Sequence, residues 1–231
     1  MGVRSRAFAA IVRARLRAQR RVIWSCCIAA ALVAFLQPHK IFPAHDALEA
    51  DLITRGVWLA GPAFFCGLLG IVVALTQRGG DRMRQLDLIE QSAPLYGREL
   101  ARATAAVPVV AAVMATVCYW IAQFAAGFAA APTYFVLALA SVIASTLVAL
   151  SATLRRGASR WLYIGIAAAT SAIAYLLAVY ADAFGPVPKE LGHYPDAIGV
   201  ATELAFCFVA GFLALRQYGE ALARYDPVPE T

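Results

Sequence analysis

The chain has 231 residues, 61% of them hydrophobic and 15% charged, with a net charge of +6 and a mean hydropathy of +0.69. A soluble domain holds roughly 45–50% apolar and about 25% charged residues; here the apolar residues run in long stretches without a polar face, so a water-soluble fold is excluded and lipid or protein must cover the helices on every side. The positive charge requires no nucleic acid, because no aromatic-studded basic patch is present and arginines beside anionic headgroups account for it.

Six apolar runs predict an all-α integral membrane protein with six transmembrane helices, each measured against the roughly 17–25 residues that cross about 30 Å of hydrocarbon. Residues 1–21 come first, as a basic amphipathic helix. Phe8, Ile11, Val12 and Leu16 share one arc, Arg6, Arg13, Arg17, Arg20 and Arg21 the opposite one, and Arg4 and Arg15 intrude on the apolar side. A helix of this kind lies at headgroup level before turning into the first span. That span, Val22–Leu36, is short, and Arg20 and Arg21 lengthen it by snorkelling. After an outer loop, Gln37–Gly56, with a short helix from Ala44 to Ile53, comes the second span, Val57–Leu75. Its Gly61, Gly67 and Gly70 suit close helix packing and a subunit interface.

The next stretch reads unlike the rest. Within the loop 77–102, Asp81 to Ala93 predict a short helix: Met83, Leu86, Ile89 and Ala93 recur at three- and four-residue spacing, and Pro94 ends it because the residue before a proline avoids the helical region. Arg84 lies three residues from both Asp81 and Asp87, within reach of ion pairs. Gly97 permits a turn, and Arg98, Glu99 and Arg102 lead into the third span, Ala103–Phe128, where Pro108 is either a kink or an early-helix proline. The fourth span is Thr133–Leu154, followed by a short basic loop, Arg155–Arg160, and the fifth span, Trp161–Ala181. An outer loop with three prolines, Asp182–Ala197, precedes the sixth span, Ile198–Leu215, and a tail, 216–231. Trp58, Trp120, Tyr134, Trp161 and Tyr180 lie near span ends, where belt aromatics belong.

Cations set the orientation. Seven arginines precede the first span, five lie from Arg78 to Arg102 and three from Arg155 to Arg160, and Arg216 and Arg224 follow the last span; the other side holds only Lys40, Arg55 and Lys189. Cytoplasmic loops retain Lys and Arg, so both termini and the loop 77–102 are expected in the cytoplasm, and the chain in a bacterial plasma (inner) membrane.

Enzyme chemistry finds little footing. There is no GxSxG, GxGxxG or HExxH, and the P-loop is excluded because its lysine must follow a glycine-rich phosphate turn, whereas Lys40 and Lys189 lie outside in other contexts. Cys26, Cys27, Cys66, Cys118 and Cys207 fall within spans with no CxxC spacing, which suits packing rather than disulfides or zinc. No metal or other cofactor is expected in this chain. The clearest intramembrane charge is Glu203, which is either a functional acid or one that snorkels to the outer interface or caps a helix–helix contact. Tyr119 and Gln123 share a face of the third span and Ser141 and Ser145 one of the fourth. Such pairs more often join helices than bind cargo; Tyr119, Gln123 and Glu203 are the candidates for a substrate path.

Asp81 and Arg82, then Leu86, Leu88 and Ile89, then Ser92, Ala93, Pro94 and Leu95, with Arg98 and Arg102 beyond, resemble the first cytoplasmic loop of type-2 ATP-binding-cassette (ABC) exporter permeases. The sequence departs from that pattern at Arg84 and Gln85, where a Gly-Thr pair is usual, and at Ala101 and Arg102, where a Gly-Lys pair is usual. The resemblance implies a transmembrane half that pairs with a second permease subunit and with separate ATPase subunits, which bind the ATP and Mg²⁺. It makes residues 81–93 a coupling helix, with Leu86, Leu88 and Ile89 as an apolar ridge, Asp87, Glu90 and Arg98 as orienting charges and Pro94 as its stop, in the manner of helix-in-groove recognition. A multispanning membrane enzyme and a non-transporting scaffold are the alternatives. The substrate is unspecified.

Overall fold

The computed structural model describes residues 3–36, 59–76, 95, 97–126, 132–155, 157–184 and 196–224. These form six helices: α1 (Val3–Leu36), α2 (Gly61–Leu75), α3 (Gly97–Ala125), α4 (Pro132–Thr153), α5 (Ala158–Phe184) and α6 (Ala197–Ala223). Five of them, all but α2, are long and apolar enough to cross a membrane. Over the described residues the fold is all-helical, and its helices are those of a multi-pass membrane protein. The predicted helices at 44–53 and 81–93 lie outside the described residues.

Several boundaries differ from the sequence expectation. First, residues 1–21 and the first span were expected as two pieces joined by a turn, whereas α1 is one unbroken helix of 34 residues, about 51 Å at 1.5 Å per residue. Its buried positions, Ile11, Arg15, Gln19, Ile23, Cys27, Ala30 and Ala34, follow one three- or four-residue stripe past position 21. Arg15, which intrudes on the apolar arc of the wheel, is buried because that arc faces protein. Second, α2 starts at Gly61 rather than Val57: Pro62 occupies its first turn, where a missing N–H costs nothing. Third, α6 continues past Leu215 to Ala223. The third span begins earlier than expected, at Gly97, and passes through Pro108 without ending.

α4 is the central helix, with two thirds of its apolar window buried against 28–44% for the other four long helices. The short α2 lies against it. Two glycines permit its close packing: a Cβ on Gly67 would overlap the Ser171 hydroxyl of α5, and one on Gly70 would overlap the Thr146 hydroxyl of α4 and stand 2.8 Å from the Val142 carbonyl oxygen. Hydroxyls line the same seam. Ser141 donates to the Ala63 carbonyl at 2.6 Å, and Ser145 and Ser171 share a hydrogen bond of 2.9 Å, so these serines join α2, α4 and α5, as polar pairs between apolar helices do.

The two ends of the bundle are packed differently. At one end Leu59, Ala60, Ala63, Tyr134, Leu137 and Ala178 form a core cluster; Tyr134, expected as a belt aromatic, is buried in it. Trp161 and Tyr180 do face outward, and Trp120 is half-buried against Phe135. Asp196 starts α6 there, accepting from the amides of Ile198 and Gly199 at 3.0 and 3.2 Å while its own amide donates to the Ala181 carbonyl of α5 at 2.7 Å. At the other end Ile71 and Ala74 of α2, Ala101 and Ala105 of α3, Val148, Ala149 and Leu150 of α4, Ala167 of α5 and Ala214, Tyr218 and Leu222 of α6 share one cluster.

Candidate functional site

The exposed side of the bundle changes chemistry along each of four helices. On α1, Arg13, Arg17, Arg20 and Arg21 give way to Trp24, Ile28, Leu32 and Phe35; on α3, Arg98 and Arg102 give way to Val110, Met114, Ile121 and Phe124. On α5, Arg160 precedes Trp161 and Leu162, and on α6, Phe208, Phe212 and Leu213 precede Arg216 and Glu220. Apolar side chains belong in hydrocarbon and exposed charges outside it. For α3, α5 and α6 the changes fall at the same end, because Thr104 and Tyr218 hydrogen-bond at 3.1 Å and Tyr163 donates to Gln217 at 3.3 Å. We refer to this as the basic end.

Local chemistry explains the α3–α6 tie. Pro108 has no amide hydrogen, so the Thr104 carbonyl four residues earlier loses its helical donor. The Thr104 hydroxyl donates back to the carbonyl of Leu100 at 3.0 Å and pairs across the interface with Tyr218, which is fully buried. Beneath this tie the helices part around a cavity of about 950 Å³ lined by Arg98, Glu99, Ala101 and Arg102 of α3 and by Phe212, Leu215, Arg216, Gly219, Glu220 and Ala223 of α6. Arg216 pairs with Glu220 one turn on, at 3.2 Å. Arg98 and Arg102 are both exposed and one turn apart.

The expected site residues fall into three groups. Leu86, Asp87, Leu88, Ile89, Glu90 and Pro94 lie outside the described residues; the loop that carries them connects α2 to α3. Arg98 is described and lines the basic-end cavity. Tyr119, Gln123 and Glu203 are all buried, but in different seams. Gln123 donates through Nε2 to the Tyr119 hydroxyl at 3.1 Å, while its Oε1 has no partner among the described residues, and Tyr119 belongs to the cluster that joins α1, α2 and α3. Glu203 is on α6, one turn before Cys207, which packs on Ala144 of α4 and Ala174 of α5. Both Glu203 carboxylate oxygens are buried without a hydrogen-bond partner among the described residues. None of the three lines the basic-end cavity.

Arg216 and Glu220 were not expected as site residues. Their signal in the sequence is the Arg–Glu spacing of four that stabilises an exposed helical turn, and it extends α6 beyond the apolar run. Cys26, Cys27, Cys66 and Cys207 are buried as free thiols and Cys118 is partly buried, which suits packing. No histidine is among the described residues, so no imidazole base is described near the Ser141, Ser145 and Ser171 hydroxyls. No protein-family model, curated protein or solved structure matches the chain.

Proposed function

We propose that this chain is the membrane-spanning permease subunit of an ATP-driven exporter of the type-2 ABC class, with its basic end in the cytoplasm and ATP hydrolysis on a separate subunit. The observation that carries the reading is the common cluster at the basic end. The loop 77–96 joins α2 to α3, and the ends of those helices beside it, at Ala74 and Ala101, pack with residues of α4, α5 and α6 in one contiguous core. Packed interiors are dense and transmit displacement rather than absorb it. A push on the loop therefore reaches five helices.

The leucine-rich, proline-stopped pattern of that loop is the kind of ridge a groove on an ATPase would take, with Leu86, Leu88 and Ile89 inserted, Asp87 and Glu90 beside them and Arg98 at the start of α3. Tyr119, Gln123 and Glu203 remain the candidates for contact with cargo. A second permease subunit would cover part of the exposed apolar side, and the ATP and Mg²⁺ would belong to the partner ATPase.

The test is co-purification. The intact chain should co-purify with a P-loop ATPase, and replacing Leu86 and Leu88 together by Asp should abolish that recovery while leaving the chain inserted in the membrane at its normal level. Undiminished recovery of the ATPase with the double variant would rule against the role.

A further inference from the structure

We propose that the groove between α3 and α6 at the basic end is a binding site for an anionic phospholipid, held by its headgroup phosphate. The inference is independent of the exporter reading. It rests on depth, shape and charge.

Depth comes from the exposed residues. On α6 the change from Phe208, Phe212 and Leu213 to Arg216 and Glu220 places the hydrocarbon boundary within one turn, and the Thr104–Tyr218 hydrogen bond sets α3 in register with it. The groove therefore opens at the level of lipid headgroups. Its shape suits an amphiphile. Phe212 lines the groove and also stacks on Phe208, with ring centroids 6.4 Å apart, and both rings are exposed. An apolar track thus leads from the groove along α6 into the region where acyl chains lie. The cavity, about 950 Å³, is at the upper end of the roughly 300–1,000 Å³ usual for small-molecule sites.

Charge selects the headgroup. Arg98, Arg102 and Arg216 line the groove against Glu99 and Glu220. Glu220 is engaged by Arg216, and neither Arg98 nor Arg102 has an ion pair among the described residues. Arg98 lies in the first turn of α3 and Arg102 in the second; the N-terminus of α3 and the C-terminal turns of α6 face the groove with opposite dipole ends, so the selection for an anion comes from the arginines. The guanidinium fork fits phosphate oxygens in pairs. Free phosphate would use the same donors but would leave the Phe212 track empty, so the site is assigned to a lipid.

Native mass spectrometry of the full-length protein in detergent provides the test, with phosphatidylglycerol, phosphatidylcholine or free glycerol phosphate added. Phosphatidylglycerol should be retained over phosphatidylcholine by at least about fivefold, the factor that one unit charge is worth near an anionic surface, and glycerol phosphate should not displace it. Arg98→Gln, Arg102→Gln and Arg216→Gln combined should erase the preference. Gly219→Leu keeps every charge, and its Cβ meets Ala101 at an ordinary 3.5 Å; it should erase the preference by filling the groove, and it decides the matter if the triple variant does not fold. Equal retention of the two lipids, a preference that survives groove filling, or displacement by glycerol phosphate would each overturn the proposal.

Discussion

Glu203 is the residue whose position is hardest to explain by packing. Its side chain is wholly buried and both carboxylate oxygens lack partners among the described residues, although burying a polar group uncompensated costs roughly 2–7 kcal/mol depending on the reference state. A residue that lowers stability and yet stands in a helix is explained by function more readily than by folding. Glu203→Met, which is apolar and of similar length, should raise the thermal midpoint of the purified protein, by roughly 2–4 °C for each kcal/mol recovered. The same variant should fail to complement a deletion of the gene. A stabilised variant that complements fully would make Glu203 a structural residue. The sequence marks Glu203 because a lone acid stands out in an apolar run. It gives no sign that Tyr119 and Gln123 sit in a different seam, since helical spacing orders residues along one helix but carries no information about which neighbour they meet.

Among the elements, α2 and α4 are fitted closely to each other. A Cβ at Gly70 would stand 2.8 Å from the Val142 backbone carbonyl, and a carbonyl held in a helix cannot rotate away as a side-chain tip can. Gly70→Val should therefore destabilise the protein by about 1–3 kcal/mol, the usual cost of overpacking, read as a lower thermal midpoint. Gly165→Ala is the control, because nothing lies within 4 Å of its added Cβ; equal midpoints for the two variants would contradict the seam. The helices were legible wherever apolar residues ran unbroken, as in α4, which ends within one residue of its expected span. They were misjudged where polarity changed inside a helix. The arginines of α1 and the Arg216–Glu220 turn of α6 are polar on the outside yet continue helices whose inner stripe, Arg15 and Gln19 in one case and Tyr218 and Leu222 in the other, is buried. Hydropathy along the chain reports where lipid stops. It does not report where a helix stops.

For the molecule as a whole, the sequence pattern and the packing converge on the basic end from different directions. The arginine bias predicts that the loop 77–96 shares a side with both termini, and the structure joins α2 through α6 in one core at the helix ends that flank that loop. The coupling role of the leucine-and-proline pattern within the loop rests on the resemblance alone, and the substrate path on isolated polar residues in apolar runs, because contact with a partner chain and with cargo is written in surfaces that a single chain leaves open. The most direct measurement is site-specific photo-crosslinking from position 88 in intact cells. The account predicts an adduct with a P-loop ATPase that disappears when Leu86 is replaced by Asp. Adducts with lipid alone, or labelling of a cysteine at position 88 by a membrane-impermeant reagent added outside the cell, would contradict it.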